Sequence, residues 1–190
     1  MHPKGSCSPG GTRAQVPRRA VIFVAILIAT FALDQGSKAW AKTLPVDPVG
    51  CSTADLAAHR CHGAPQSVID GFWDWQLALN DGAAFSNLRG SQVLLSLIAI
   101  GALVMLTVMA RRTKPEQRAQ RIAYAMIAGG ALGNLVDRLR DGAVTDFVRW
   151  RVGGHEWPIF NIADVALVIG VSLLLLESIA ARRRPGTLAA

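Results

Sequence analysis

The chain of 190 residues is poor in aromatics, at 6% with a single Tyr, and holds three Cys and only thirteen acids against twenty bases. Three cysteines are too few for a scaffold built from disulfides. No Gly-x-Ser-x-Gly occurs anywhere, which removes the strained elbow that exposes a nucleophilic serine. Ser37 cannot turn toward Lys38 either, because adjacent residues on a helix face different directions. His59, Cys61 and His62 match no common zinc spacing, so neither a metal nor a cofactor is expected. The shortage of acids leaves a formal charge of +7, a balance that raises nucleic acid as a partner. The bases, however, cluster between long apolar runs instead of interleaving with exposed aromatics. That is how membrane topology is written into a sequence, and no nucleic-acid partner is expected.

What fills the chain is hydrophobic residue, 51% of the total. A membrane-spanning helix needs roughly 20 mostly apolar residues. Four segments meet or approach that length: 20–41, 91–110, 122–138 and 157–176. The second is uncharged, whereas the first holds Asp34 and Lys38, the third ends on Asp137 and Arg138, and the fourth contains Asp164. The expected architecture is an all-α membrane protein of four transmembrane helices, with a small outer-face β cradle and an interfacial loop. One four-helix transmembrane domain would run from 18 to 180, between a Gly/Pro/Ser-rich tail at 1–17 and a basic tail at 181–190.

Short basic flanks set orientation. Lys4, Arg13, Arg18 and Arg19 precede the first span; Arg111, Arg112, Lys114, Arg118 and Arg121 lie between the second and third; Arg182, Arg183 and Arg184 follow the fourth. These regions are expected in the cytoplasm. The loops 42–90 and 139–156 carry six bases and eight acids and belong outside. Arg18, Arg19, the apolar stretch 20–33 and Ala39-Trp40-Ala41 loosely imitate a cleavable signal peptide. Asp34 and Lys38 interrupt that pattern. Cys51 and Cys61 fall in the first outer loop, where a bridge is chemically permitted and two free thiols are the alternative.

An ionisable group inside a span is costly and marks function by default. At about 1.5 Å per residue, Asp34 lies roughly 20 Å along the first helix from Arg19. Asn134 reaches a similar depth on the third helix, and Asn161 and Asp164 occupy the first turns of the fourth. All converge near the outer edge. Helical spacing puts Asp34 with Lys38, Asn161 with Asp164, and Gly130 with Asn134 and Arg138 on shared faces. Gly129 and Gly133 let a neighbouring backbone approach. Interhelical clasps without chemistry would explain any single pair; three faces meeting at one depth favour a site. Between spans, 144–151 alternates as an extended interfacial segment and carries Asp146, while 72–79 has strand content and leads into Asn80-Asp81-Gly82.

Five stretches now line up: Asp34-Gln35-Gly36-Ser37-Lys38, Asn80-Asp81-Gly82-Ala83-Ala84-Phe85, the run 129–138 ending Asn134-Leu135-Val136-Asp137-Arg138, Val144-Thr145-Asp146-Phe147, and Phe160-Asn161-Ile162-Ala163-Asp164. In this order they resemble the motifs of the bacterial lipoprotein signal peptidases (signal peptidase II), from about residue 20 to 177. Asp81 stands where that family commonly has Thr, Thr145 where Val is usual, and the loop 45–69 is longer than typical. The resemblance implies an aspartyl protease of the cytoplasmic membrane. Its catalytic pair would be Asp146 and Asp164, with Asp137 structural. Asp34, Lys38, Asn80, Gly82, Gly130, Asn134, Arg138, Asn161 and Ala163 would bind substrate or orient the pair. The implied substrate is a prolipoprotein whose Cys bears diacylglycerol, cut just before that Cys, and membrane lipids would be neighbours. Two carboxylates sharing one proton suit amide hydrolysis without a metal. A proton-coupled transporter subunit and a lipoprotein-binding chaperone are the competing classes.

Overall fold

The computed structural model describes residues 18–46, 55, 62–82 and 92–182. Within them the order is α1 (Arg18–Ala41), β1 (Gln66–Ile69), β2 (Trp73–Asn80), α2 (Gln92–Arg112), α3 (Arg118–Asp141), β3 (Val144–Val152), β4 (His155–Glu156) and α4 (Ile162–Arg182). Helices therefore dominate, with one small antiparallel sheet ordered β1-β2-β3-β4. Cys7, Cys51, His59, Cys61 and the stretch Ala83 to Phe85 lie outside the described residues, so the disulfide and loop expectations placed on them stay there.

Among the described residues three helices, α1, α2 and α4, are long and apolar enough to cross a membrane. Each presents large aliphatic side chains outward, among them Ile28 and Leu33 on α1, Leu97 and Val104 on α2, and Val168 and Leu175 on α4. The expected third span is a helix too, but it falls outside this group. Its composition explains why. α3 is the hub on which α1, α2 and α4 all pack, so it is rich in Ala, Gly and polar residues where it meets protein, with Ala123, Ala125, Ala128, Asn134 and Asp137 all buried. An apolar coat is needed only where a helix meets lipid.

Close approach is built into α3. A Cβ at Gly130 would lie 2.6 Å from the Ala163 carbonyl oxygen of α4, and one at Gly133 would collide with the Asp34 carboxylate of α1. Only glycine lets both neighbours come that near. α3 then ends on Gly142, a left-handed C-cap with φ 72°, whose N–H donates to the Arg138 carbonyl. That αL residue reverses the chain directly into β3.

The segment 157–161 was expected to be helical and is not; α4 starts at Ile162. Pro158 has no N–H to donate and disfavours helix at the residue before it. Instead the chain runs beside β3: Phe147 and Val148 both donate from their N–H to the Phe160 carbonyl, at 3.0 and 2.9 Å, and Phe160 N–H donates back to Val148 at 3.1 Å. β2 pairs with β3 in a register that sets Ala78 opposite Asp146 and Asn80 opposite Val144. Under the sheet, Phe147 and Val148 pack with Ala41, Trp73, Trp75 and Phe160. The sheet is thereby bolted to the end of α1 and the start of α4.

Candidate active site

The start of α4 explains how Asp164 is held. Asn161 is the N-cap and Asp164 the third residue of the first turn: Asp164 N–H donates to Asn161 Oδ1 at 3.1 Å, and Asn161 N–H donates to Asp164 Oδ2 at 3.1 Å. This reciprocal pair satisfies two helix-end donors at once, and the helix N-terminus favours the carboxylate's negative charge. The other Asp164 oxygen, Oδ1, accepts from Asn134 Nδ2 on α3 at 3.1 Å.

Asp146 reaches the same place from the sheet. Its Oδ1 accepts from Asn161 Nδ2 at 2.6 Å and its Oδ2 from Asn80 Nδ2 at 3.1 Å. Asn161 therefore touches both carboxylates, one through its side-chain amide and one through its backbone N–H. Asp146 is almost fully buried, at 2% exposure. Burial, and next the charge of Asp164, push its carboxyl up to about 8, against the opposing pull of the Asn80 and Asn161 hydrogen bonds and the Lys38 charge. A carboxyl held in that range keeps a proton at neutral pH.

Both carboxylates line one open cavity of about 350 Å³. Asn80, Gly82, Asn134 and Arg138 supply its remaining polar wall; Val144, Trp157, Pro158, Ile159, Phe160, Leu167 and Val168 supply an apolar one. Arg138 is held by donating to the Asn134 carbonyl at 3.2 Å and the Gly82 carbonyl at 3.3 Å. Gly82 N–H in turn donates to Asn80 Oδ1 at 3.0 Å, closing a small turn that fixes the Asn80 amide. The apolar wall was not singled out from sequence. A Trp-Pro-Ile-Phe run directly before the Asn161 cap was its signal, readable as a non-helical aromatic entry to the site.

Asp34, Lys38, Gly130 and Ala163 stand behind the cavity, not on it. Lys38, at 1% exposure, is clamped by three acceptors: Asn134 Oδ1 at 2.7 Å, Asp34 Oδ2 at 2.9 Å and Asp137 Oδ2 at 3.1 Å. Asp34 also accepts from the Ala163 N–H at 3.0 Å, tying α1 to the first turn of α4. Gln35 Nε2 donates to Asp137 Oδ1 at 3.0 Å. Arg138 and Arg140 are the bases nearest Asp137 along the chain. The structure puts Lys38 against its carboxylate instead, with Arg140 at 3.9 Å and half exposed. Helix phase is the reason, since Arg138 follows Asn134 around toward the cavity while Asp137 turns toward α1. Asp137 Oδ2 accepts the Thr145 N–H at 3.0 Å, so this carboxylate sets the start of β3 one residue before Asp146.

Residues 26–180 match the family model described as Signal peptidase (SPase) II. Among curated relatives, the lipoprotein signal peptidase of Xanthomonas euvesicatoria pv. vesicatoria (strain 85-10) is 38% identical over 176 residues, covering 88% of this chain and 93% of that protein. The lipoprotein signal peptidase of Xylella fastidiosa (strain 9a5c) is 40% identical over 164 residues, covering 83% and 89%. A bacterial membrane enzyme solved by the in meso method at 2.3 Å superposes with a TM-score of 0.72 at 26% identity, covering 90% of this chain and 94% of its own. A second such enzyme, solved at 1.9 Å, gives a TM-score of 0.68 at 28% identity, covering 83% and 92%. With the family's match spanning the helices and strands that build the cavity, the chain belongs to the signal peptidase II family, the lipoprotein signal peptidases, which are aspartic peptidases.

Proposed function

We propose that this protein removes signal peptides from prolipoproteins, cutting just before a diacylglyceryl-modified Cys, with Asp146 and Asp164 as the catalytic pair. The carrying observation is the single Asn161 that hydrogen-bonds both carboxylates where they line one cavity. The ionised member of the pair takes a proton from water as it attacks the scissile carbonyl. The protonated member donates to the carbonyl oxygen, and the proton passes on to the leaving amine. Asn80 and Asn134 each hold one carboxylate oxygen, leaving the remaining lone pairs for water and substrate. Arg138 and the Gly82 backbone offer polar contacts to the substrate chain. Asp34, Lys38, Gly130 and Ala163 act by orienting α1, α3 and α4, and Asp137 is structural.

The apolar wall supports the lipid part of this reading. Trp157 and Val168, both about two-thirds exposed, stand at the cavity's margin, at 65% and 66%. A diacylglyceryl chain could enter there laterally from the bilayer while water reaches the carboxylates. The reading places four spans in the cytoplasmic membrane, with α3 shielded by the other three. Both termini would be cytoplasmic, the sheet would cradle the site at the outer leaflet, and no nucleic acid would be involved. Residues 18–180 form the peptidase unit and 1–17 and 181–190 are tails.

The test is cleavage of a lipidated prolipoprotein by detergent-purified protein. Asp146→Asn and Asp164→Asn should each abolish product formation while the protein stays folded, since Asn keeps the volume but cannot carry the shared proton. Near-normal turnover by either variant refutes the pair. Cysteine labelling that placed the Asn80 or Asp146 region in the cytoplasm would refute the topology.

A further inference from the structure

At the far end of the helices from Asp146 lies a second cavity, of about 390 Å³, lined by Arg19, Phe23 and Val24 of α1, Thr107 and Arg111 of α2, and Arg121 of α3 among others. It exists because α1 and α2 both pack on α3 and share little surface with each other, so their ends leave a wedge over it. Three arginines and no acid face this wedge. Arg121 is buried, at 5% exposure. Its Nε donates to Thr113 Oγ1 at 3.2 Å and its Nη2 to the Lys114 carbonyl at 2.9 Å, both neutral acceptors. Among the described residues no carboxylate pairs with Arg19, Arg111 or Arg121. A buried cation without a counter-charge is costly, and orientation by basic flanks accounts for arginines exposed at helix ends, not for one buried within the protein.

We propose that this wedge binds an anionic phospholipid, its phosphodiester held by Arg19, Arg111 and Arg121 and an acyl chain lying along Phe23 and Val24. A basic pocket between helices at the cytoplasmic surface suits such a headgroup. The lipid supplies the charge that Arg121 lacks and fills the space between α1 and α2. This rests on the topology proposed above, which puts the wedge at the inner leaflet. It does not involve the catalytic pair.

The experiment uses the full chain in detergent, read by native mass spectrometry and thermal shift. The probes are phosphatidylglycerol, phosphatidylcholine with the same acyl chains, and inorganic phosphate at matched concentration. Phosphatidylglycerol should bind and stabilise more than the other two. Arg19→Gln and Arg111→Gln, both at exposed positions, should each weaken that binding about fivefold, and the double variant should bind the two lipids alike. Equal binding of phosphatidylcholine by the parent protein overturns the proposal, as does undiminished phosphatidylglycerol binding by the double variant. Stabilisation by inorganic phosphate equal to that by phosphatidylglycerol would show an anion site without a lipid, and overturns it too. Cleavage is not read, so failure of the Asp146 and Asp164 assignment leaves these outcomes unaffected, and cysteine labelling reports on the topology separately.

Discussion

Two pairs of carboxylates sit side by side in this protein and are treated in opposite ways. Asp34 and Asp137 are fully buried and share an ammonium, Lys38, within 3.1 Å of each. Asp146 is just as buried, yet its hydrogen bonds and those of Asp164 come from amides and a backbone N–H, with no cation in contact. Asn134 stands between the pairs, its oxygen accepting from Lys38 and its nitrogen donating to Asp164. Burial alone does not separate the carboxylates proposed as structural from those proposed as catalytic. What separates them is the partner: a cation in contact holds the charge, whereas neutral donors leave two carboxylates to resolve their repulsion by keeping a proton.

The largest effect should come from removing the cation that makes the first pair structural. Lys38→Met strands two buried carboxylates and should cost about 3 to 5 kcal/mol, the scale for breaking a buried pair by deleting one partner. Thermal or denaturant unfolding in detergent measures it, and a loss under 1 kcal/mol would mean the two pairs are not distinguished by Lys38. Asp137→Asn comes next, at about 1.5 to 3 kcal/mol, because hydrogen bonds to a charged group are weakened while the shape stays. Folded yield should drop more than turnover per folded molecule. A fully stable but inactive Asp137→Asn protein would put the catalytic pair in the wrong place.

The second pair predicts a pH signature. Asp146 in the folded protein titrates near 8, above the ordinary value of 3.8, so the native state binds the proton more tightly than the unfolded chain. Its contribution to stability is present at low pH and declines as pH rises from about 4 to about 8. Asp146→Asn should flatten that decline. Activity should fall on the alkaline side as the shared proton is lost near pH 8, and because the Asn80 hydrogen bond pulls this value down, Asn80→Ala should move the alkaline limb upward. A pH–rate profile with an unmoved limb would break the link. The smallest effect belongs to Lys42→Ala. Lys42 contacts Asp141 at 2.6 Å, but both side chains are about one-third exposed, and solvent-screened pairs contribute about 0.5 kcal/mol or less.

Much of this was legible in the chain. α1 and α2 follow from apolar length, uncharged in α2 up to Arg111 and interrupted by Asp34 and Lys38 in α1, and β2 and β3 from alternation and aromatic content. Asp34 with Lys38, and Asn161 with Asp164, follow from helical phase alone. The start of α4 was misplaced because Trp157 to Phe160 are as apolar as a span, and only their pairing with β3 takes them out of the helix. α3 was read as a span like the others, but its small and polar residues answer to three neighbouring helices, an environment that a single-helix hydropathy pattern does not encode.

The sequence by itself singled out the ionisable residues that gather among the helices, because burying charge in an apolar run is too costly to be incidental and because helical phase is a local property. Tertiary structure alone decided which carboxylate meets which partner on another element. Lys38 could have faced any acid within reach of α1. It meets Asp137 because Gly130 and Gly133 let α3 close on its neighbours, and Asp146 meets Asn161 because the paired strands carry it back to the start of α4. Those contacts join residues more than ninety positions apart in one case and fifteen in the other, and such pairings are set by packing in three dimensions, not by spacing along the chain.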